Sequence, residues 1–190
     1  MPSIRLAGGT DLALWQEWAD SDALALTRVT GRDPCKPSLV FLIESPAGCG
    51  APCGAVELFN IDGANRRAEL GLYLADPSRR GRGLGVWSAR RVVEASFAIG
   101  LHRLEAHILK ENPAALSLAR RAGFRVEGTC RGAVWRDGVP RDVVLLAMLP
   151  SDFLQRFGRF PRLSSAHAPV AREVAMALLL SLGDPERGDH

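Results

Sequence analysis

The 190-residue chain lacks the apolar segments that carry proteins to or through a membrane. No apolar run reaches the ~18 residues that a bilayer span requires, and no charged-then-apolar leader opens the sequence. Apolar residues still make up 47% of the chain, which is enough for an ordinary globular core. We therefore expect a globular, cytoplasmic protein with no membrane partner.

Lysine is nearly absent, and the chain carries little net charge. Only Lys36 and Lys110 are lysine among 24 basic residues, and the formal net charge is +3. The arginines that supply the remaining positive charge are seldom interleaved with aromatic side chains. This composition argues against a nucleic-acid-binding protein, which would carry a concentrated basic surface.

The cysteines do not have the spacing of a metal site. Cys49 and Cys53 are too far apart for a paired zinc knuckle, and no histidine lies close to them. We expect free thiols in a reducing compartment and no bound metal.

The patterns of apolar residues predict a mixed α and β class. Helices are predicted to begin at Thr10 and to cover 23–29, 83–99, 112–123 and 170–182. Strands are predicted at 3–7, 38–44, 54–61, 67–74, 103–109, 124–135 and 141–148. Pro150 and the linker-like composition after it indicate a domain at 1–154, followed by a linker and a C-terminal helical extension at 155–190.

Residues 79–86, RRGRGLGV, place three arginines and three glycines directly before a predicted helix. Glycines allow a sharp turn and a close backbone approach, and the helix N-terminus offers unpaired N–H groups to an anion. The segment therefore has the features of a phosphate-binding loop. The alternative is a glycine-rich turn with solvated arginines. No Gly-Lys-Ser/Thr follows, so it is not a Walker loop.

The blocks around this loop resemble the GNAT acetyltransferase superfamily. Residues 69–97, ELGLYLADPSRRGRGLGVWSARRVVEASF, resemble its acetyl-coenzyme A (acetyl-CoA) motif, Arg/Gln-x-x-Gly-x-Gly/Ala. Downstream, a helix that starts at Asn112 and ends in Gly123-Phe124 resembles the next family block. The stretch from Glu127 to Asp142 is typical of the ribosomal-protein N-acetyltransferase (RimJ/RimL-like) branch. The resemblance implies an α+β fold, a mixed, mostly antiparallel central sheet flanked by helices.

The resemblance also implies where acetyl-CoA binds. Strands 69–74 and 103–109 would splay apart, and the backbone groups of Leu72, Tyr73 and Leu74 would pair with the pantetheine amides. The pyrophosphate would lie on the loop residues Arg79, Arg80, Gly81, Arg82, Gly83, Leu84, Gly85 and Val86. Asn112 matches the family asparagine that contacts the pantetheine arm, and it is equally suited to cap its helix.

Acetyl transfer to an amine needs a base, because only the neutral amine attacks the thioester. Glu69 begins the cofactor strand and is the first candidate, provided that its face of the strand is the cleft face. The alternative role of Glu69 is an ion pair with Arg66 or Arg67. Glu57, on the neighbouring strand, is the second candidate.

The general acid, which would protonate the departing thiolate, has no match at the usual family positions. The family positions that carry a tyrosine, a serine or a glutamate for this chemistry correspond here to Ala119, Ala115 and Val134. Ser117 lies on the same helix as the first two, at another angle, and is the remaining hydroxyl candidate. Leaving-group departure with help from water and backbone is an alternative. These substitutions also raise a second class of function, an acyl-CoA-binding module without fast turnover.

The branch resemblance implies that the acceptor is the α-amine of a protein or peptide, attacking the thioester directly. A small amine such as a polyamine or an aminoglycoside is the alternative. It would need acidic residues, for which the first helices offer Asp11, Glu17, Asp20 and Asp22, although a solvated helix face is the preferred interpretation of these four. Trp15, Trp18 and Trp135 would line the acceptor cleft or simply pack. His102, just before a strand, and His107, within it, are predicted to be core residues rather than bases. The C-terminal helix would cover the sheet or form a homodimer.

Overall fold

The computed structural model describes residues 2–20, 29, 31, 33, 35–44, 51–159 and 168–181. Within these residues the strands are β1 (Ser3–Leu6), β2 (Leu39–Glu44), β3 (Pro52–Asp62), β4 (Arg67–Leu74), β5 (Arg103–Leu109), β6 (Arg125–Arg136) and β7 (Val139–Met148). The helices are α1 (Gly9–Asp20), α2 (Leu84–Ala98), α3 (Pro113–Ala122), α4 (Pro150–Phe157) and α5 (Ala168–Ser181). The helix predicted at 23–29 lies outside the described residues, apart from Val29.

The seven strands form one sheet in the order β1-β2-β3-β4-β5-β7-β6. Every neighbouring pair is antiparallel except β4 and β5, which are parallel. α2 provides the crossover that a parallel pair requires. The predicted α+β class and its mixed, mostly antiparallel sheet are therefore confirmed.

The two faces of the sheet are covered by different helices. On one face, apolar side chains of the strands pack with α2, α3, α4 and α5 in one large core that includes Phe41, Val93 and Phe153. On the opposite face, Trp15 of α1 packs on Leu42 in a smaller cluster. A strand that alternates between two apolar environments is fixed in register, because a slip of one residue would exchange its faces.

The hairpin between β6 and β7 turns at the predicted Asp137-Gly138. Both residues have positive φ angles, 51° and 72°. Two left-handed residues in succession define the turn whose twist matches that of antiparallel strands, which explains this residue pair.

The C-terminal helix lies against the core. Val170 and Val174 of α5 are buried in the large cluster. Two residues after α4, Arg159 forms an ion pair with the buried Glu94 of α2. Of the two expectations for this helix, the described residues therefore show that it covers the sheet face. The predicted boundary at residue 154 lies within α4, and the division into two domains stays a prediction.

None of the described helices is long and apolar enough to cross a bilayer.

Replacing Val174 with alanine should lower the free energy of unfolding by about 2 kcal/mol, because two buried methyl groups are lost and a cavity remains. Met176 is on the same helix and 52% exposed, so Met176→Ala should change stability by less than about 0.5 kcal/mol. Urea unfolding of both variants measures the difference. Equal, small effects would mean that α5 is not part of the cooperative core.

Candidate active site

The parallel strands β4 and β5 separate in the middle of the sheet. They pair at Arg67–Arg103, Ala68–Leu104 and Glu69–Glu105, and the pairing ends there. β4 continues along β3 as far as Leu74, and β5 continues along β7 as far as Leu109. The split leaves a backbone edge on β4 at which an extended ligand can add as a further strand. The predicted splaying of these strands is confirmed.

The segment after β4 presents the N-terminus of α2 beside this split. Gly83 precedes the helix, and the first helical bond runs from Trp87 N to Gly83 O at 2.9 Å. The N–H groups of Leu84, Gly85 and Val86 therefore have no partner within the helix. This is the arrangement that binds anions.

The glycines of the loop serve two different purposes. Gly81 and Gly83 have φ angles of 74° and 81°, and a Cβ on either would meet nothing within 4 Å. They are needed for the left-handed backbone and leave the space in front of the helix open. Gly85 is buried, and a Cβ there would lie 2.6 Å from Cδ1 of Leu118. Its absence of a side chain lets α2 and α3 approach closely.

The three loop arginines differ in their engagement. Arg79 pairs with Asp76 at 3.2 Å. Arg80 donates two hydrogen bonds to the carbonyl oxygen of Leu74, at 3.3 and 2.9 Å. Arg82 is exposed and has no ion pair with any described residue. Arg82 is thus the loop arginine most available to a phosphate. The carbonyl oxygen of Leu74, which was expected to pair with a pantetheine amide, already accepts from Arg80.

Asn112 caps α3, since its Oδ1 accepts a hydrogen bond from Ala115 N at 3.0 Å. The amide nitrogen of Asn112 remains for a second contact, as the dual role requires. Ser117 lies on the exposed side of α3, whereas Ala119 is buried in the core. No contact in the described structure links Ser117 to the split, so its role as acid stays a prediction.

Glu69 faces the α1 side of the sheet, as the alternation along β4 requires. Ala68, Leu70 and Leu74 point into the large core, and Tyr73, on the same side as Glu69, packs in the α1 cluster. Glu69 stands at the last paired position before the split. Glu69 thus shares a face with Tyr73 beside the split, and its role as the base stays a prediction.

Glu69 contacts a histidine across the split, a partner that the sequence did not indicate. Glu69 Oε2 lies 2.8 Å from His107 Nδ1, and Asn60 Nδ2 donates to Glu69 Oε1 at 2.7 Å. The Glu69 carboxylate raises the pKa of His107, more than burial lowers it. His107 was assigned a structural role from the sequence, and its contact with Glu69 depends on a register that the sequence does not reveal. The contact of Asn60 with Glu69 could not be predicted either, because nothing in the local sequence indicates the bulge at Asn60.

Three carboxyl side chains, those of Glu57, Glu69 and Glu105, lie near the split on the same side of the sheet. Glu57 is 4% exposed and lies opposite Gly71, on the same side of the sheet as Glu69. Glu105, also on this side, is held by Arg103 at 2.6 Å. The carboxyl groups on this face beside the split therefore come from strands rather than from the first helix.

The acidic residues predicted for an amine site on the first helices have other surroundings. Arg5 and the backbone N–H of Gly8 bind Asp11 and lower its pKa to about 2. Glu17 is exposed. The side chain of Asp20 and all of Asp22 lie outside the described residues.

Two of the three tryptophans considered for the cleft lie on the same side of the sheet as Glu69. Trp15 is buried in the α1 cluster, and the ring of Trp18 lies 6.0 Å from that of Tyr73. Trp135 is 71% exposed on β6, near the end of the hairpin. Trp18 and Tyr73, which is itself in the cofactor strand, therefore form an aromatic wall on this face of the sheet.

Among the described residues no group of three His, Cys, Asp or Glu could hold a metal ion. Cys35, Cys53 and Cys130 are free thiols, and Cys49 lies outside those residues.

A split between two parallel strands, followed by a helix whose N-terminus is open to an anion, is the arrangement expected of an acyl-CoA-binding α+β domain. The chain belongs to the acetyltransferase (GNAT) domain family, whose model matches residues 9–125. The predicted GNAT superfamily is therefore confirmed, and acetyl-CoA, the predicted cofactor, is the one that its acetyltransferases use. Within the chain, the loop glycines, the helix N-terminus and Arg82 fit the pyrophosphate, and the free edge of β4 fits the pantetheine arm.

Similar curated proteins carry different acceptor descriptions. The chain is 37% identical over 101 residues to the probable N-acetyltransferase YjcK of Bacillus subtilis (52% of this chain, 55% of that protein). It is 34% identical over 104 residues to spermidine N(1)-acetyltransferase of Vibrio cholerae (54% and 60%). It is 28% identical over 105 residues to the putative ribosomal N-acetyltransferase YdaF of B. subtilis (55% and 57%). The match spans under two thirds of each relative, and the RimJ/RimL-like branch is not singled out.

Solved structures show the same fold. Spermidine N-acetyltransferase from Vibrio cholerae in complex with CoA and spermine has a TM-score of 0.69 with 22% identity, covering 80% of this chain and 98% of that one. A mutant form of the same Vibrio cholerae enzyme has a TM-score of 0.68 with 22% identity, covering 82% of this chain and 97% of that one.

Replacing Arg82 with alanine should raise the Kd for acetyl-CoA about tenfold, because a charge-assisted hydrogen bond of about 1.5–3 kcal/mol is lost and solvent reduces it in part. Calorimetric titration measures the change. Arg172→Ala, on the exposed side of α5, is the matched control and should leave the Kd in place. An unchanged Kd for Arg82→Ala would contradict the phosphate role.

The Glu69–His107 pair should make stability depend on pH with a defined sign. The folded-state pKa of His107 lies above its usual 6.5. Its contribution is therefore complete below about pH 6.5 and lost as pH rises through the raised pKa. The free energy of unfolding is measured for wild type and Glu69→Gln at pH 6 and at pH 9. The difference between the two proteins should be larger at pH 6. The ring pKa of His107, followed by NMR, should fall in Glu69→Gln and stay in place in Glu173→Gln. No fall would contradict the pairing.

Proposed function

We propose that the protein is an acetyl-CoA-dependent N-acetyltransferase whose acceptor is a small amine of the polyamine class. The observation that carries the proposal is the acidic floor of the cleft beside the cofactor strand, formed by the buried Glu57 and the partly buried Glu69. Carboxylates in a poorly hydrated site favour an ammonium group strongly. The spermidine acetyltransferases among its relatives and structural neighbours support the same class of acceptor.

The residues of this chain divide the work as follows. The loop and the N-terminus of α2 hold the pyrophosphate, and the edge of β4 aligns the pantetheine arm beside the split. Acetyl-CoA supplies the thioester that the amine attacks. A strand N–H of Leu72 or Tyr73 would donate to the oxyanion, and the Glu69–His107 pair would accept the ammonium proton. The aromatic wall of Trp18 and Tyr73 would shield the amine from water.

A protein or peptide N-terminus is the second acceptor. It rests on the similarity to a putative ribosomal N-acetyltransferase. An α-amine, with a pKa of about 7.7–8.0, is easier to deprotonate than an alkylamine near 10.4. A peptide does not need the two carboxylates of the floor, which is why the polyamine class is preferred.

The purified protein is incubated with acetyl-CoA and spermidine, an aminoglycoside or peptides with free N-termini, and thiol release is followed. We expect spermidine-dependent release and a product heavier by one acetyl group. Glu57→Gln should raise the KM for spermidine about tenfold or more, since one buried charge pair is lost. The same variant should change the KM for a neutral peptide little.

Glu173→Gln, which removes a carboxylate far along the chain on α5, is the matched control and should behave as wild type. Release with peptides alone would favour the protein N-terminus. Cofactor binding without release from any acceptor would favour an acyl-CoA-binding module.

A further inference from the structure

Asn60 occupies an irregular position in β3 that directs its side chain to Glu69. The register with β4 shifts between Phe59 and Asp62, and Asn60 has a φ of 51°. Asparagine is one of the few residues other than glycine that adopt this conformation readily. Bulges of this kind redirect side chains beside active sites.

The Asn60 amide is held on one side and binds Glu69 on the other. Its Oδ1 accepts from Asp33 N at 2.7 Å, and its Nδ2 donates to Gly31 O at 3.1 Å and to Glu69 Oε1 at 2.7 Å. A reversed amide would set oxygen against both acceptors, so the orientation is fixed. One oxygen of Glu69 is thereby fixed, and the other faces His107.

Glu69 determines which nitrogen of His107 carries the proton. The 2.8 Å contact joins Oε2 to Nδ1, and an ionised carboxylate can only accept. Nδ1 is therefore the donor, and in the neutral ring the free electron pair is on Nε2. No described residue is hydrogen-bonded to Nε2. The side chain of His107 is 19% exposed, two residues past the last β4–β5 pair.

We propose that Nε2 of His107 takes the proton from the acceptor ammonium, with Glu69 and Asn60 as the positioning residues that orient the ring. This inference rests on the proposed function. The N–H bond of the ammonium breaks, and its electron pair stays on nitrogen for attack on the thioester carbonyl. The imidazole becomes an imidazolium whose Nδ1–H remains on Glu69, and the proton then leaves to solvent.

Histidine suits this role better than Glu69 itself. Both oxygens of Glu69 already have partners, Asn60 and His107, whereas no described residue is hydrogen-bonded to Nε2 of His107. A base is most effective when its pKa lies near the working pH, and the pKa of His107 is raised toward that range by Glu69.

The charges around His107 come from the neighbouring strands. Glu69 and Glu105 favour the protonated ring, and Arg103 opposes it. Glu57 lies on β3 across Gly71, and the residue opposite His107 on β7 is Leu145, which is uncharged. On α1, Glu17 is exposed.

The test is the pH dependence of kcat/KM for spermidine in wild type, His107→Gln, Glu69→Gln and Asn60→Asp. In wild type, kcat/KM should rise through a pKa above about 6.5. His107→Gln should lower kcat about 100-fold or more and remove this limb, with the Kd for acetyl-CoA unchanged. Glu69→Gln should move the limb to lower pH. Asn60→Asp keeps the acceptor for Asp33 N and adds a negative charge, so the limb should move to higher pH.

His102→Gln is the matched control, because His102 is exposed and precedes β5. It should retain the wild-type profile. Loss of activity only in Glu69→Gln, with His107→Gln active, would make Glu69 the base and overturn the inference. If the variants lose stability but the rise of kcat/KM with pH does not move, these residues have a structural role only. That result would also overturn the inference. Absence of turnover in wild type is the separate failure of the proposed function. In that case NMR of the ring nitrogens decides, since protonation of Nε2 rather than Nδ1 in the neutral ring would refute the orientation.

Discussion

The separation of β4 from β5 is the constraint on which the rest of the site depends. The two strands are parallel, share three pairs and then diverge. Each keeps its other neighbour, β3 or β7, so the sheet stays intact while a backbone edge opens inside it. A sheet can keep such an opening only if its outer pairs are fixed. The large core under β2–β5 and β7 provides this, with α2 and α5 packed across it.

The loop and the cleft use the opening from its two sides. At the end of β4, Asp76 and Arg80 hold the chain so that α2 starts beside the split with its N–H groups free. At the start of the split, Glu69 and His107 join the two strands again through side chains. A backbone edge is therefore open where the strands are apart, and titratable side chains meet where the strands are still close. The open helix N-terminus and the Glu69–His107 contact thus lie at opposite ends of the split.

The local parts of this arrangement could be predicted from the sequence. The strand at 67–74, the strand at 103–109 and the helix capped by Asn112 follow from short-range patterns, and the glycine–arginine loop follows from its composition. Glu69 could be placed on a face by alternation alone. Contacts such as Asn60–Glu69 and Glu69–His107 could not, because they depend on a bulge and on the parallel register. Neither leaves a periodic signal in the chain.

The sequence by itself determined the family, the cofactor loop and the order of strands and helices, because these depend on residues close together along the chain. Only the tertiary structure decided how the loop arginines are engaged, that α5 covers the core and that the acidic floor comes from β3 and β4. It also decided that Glu69 contacts a histidine 38 residues away. The physical reason is that charge and burial at a site are sums over distant strands, which the sheet brings together only when it folds.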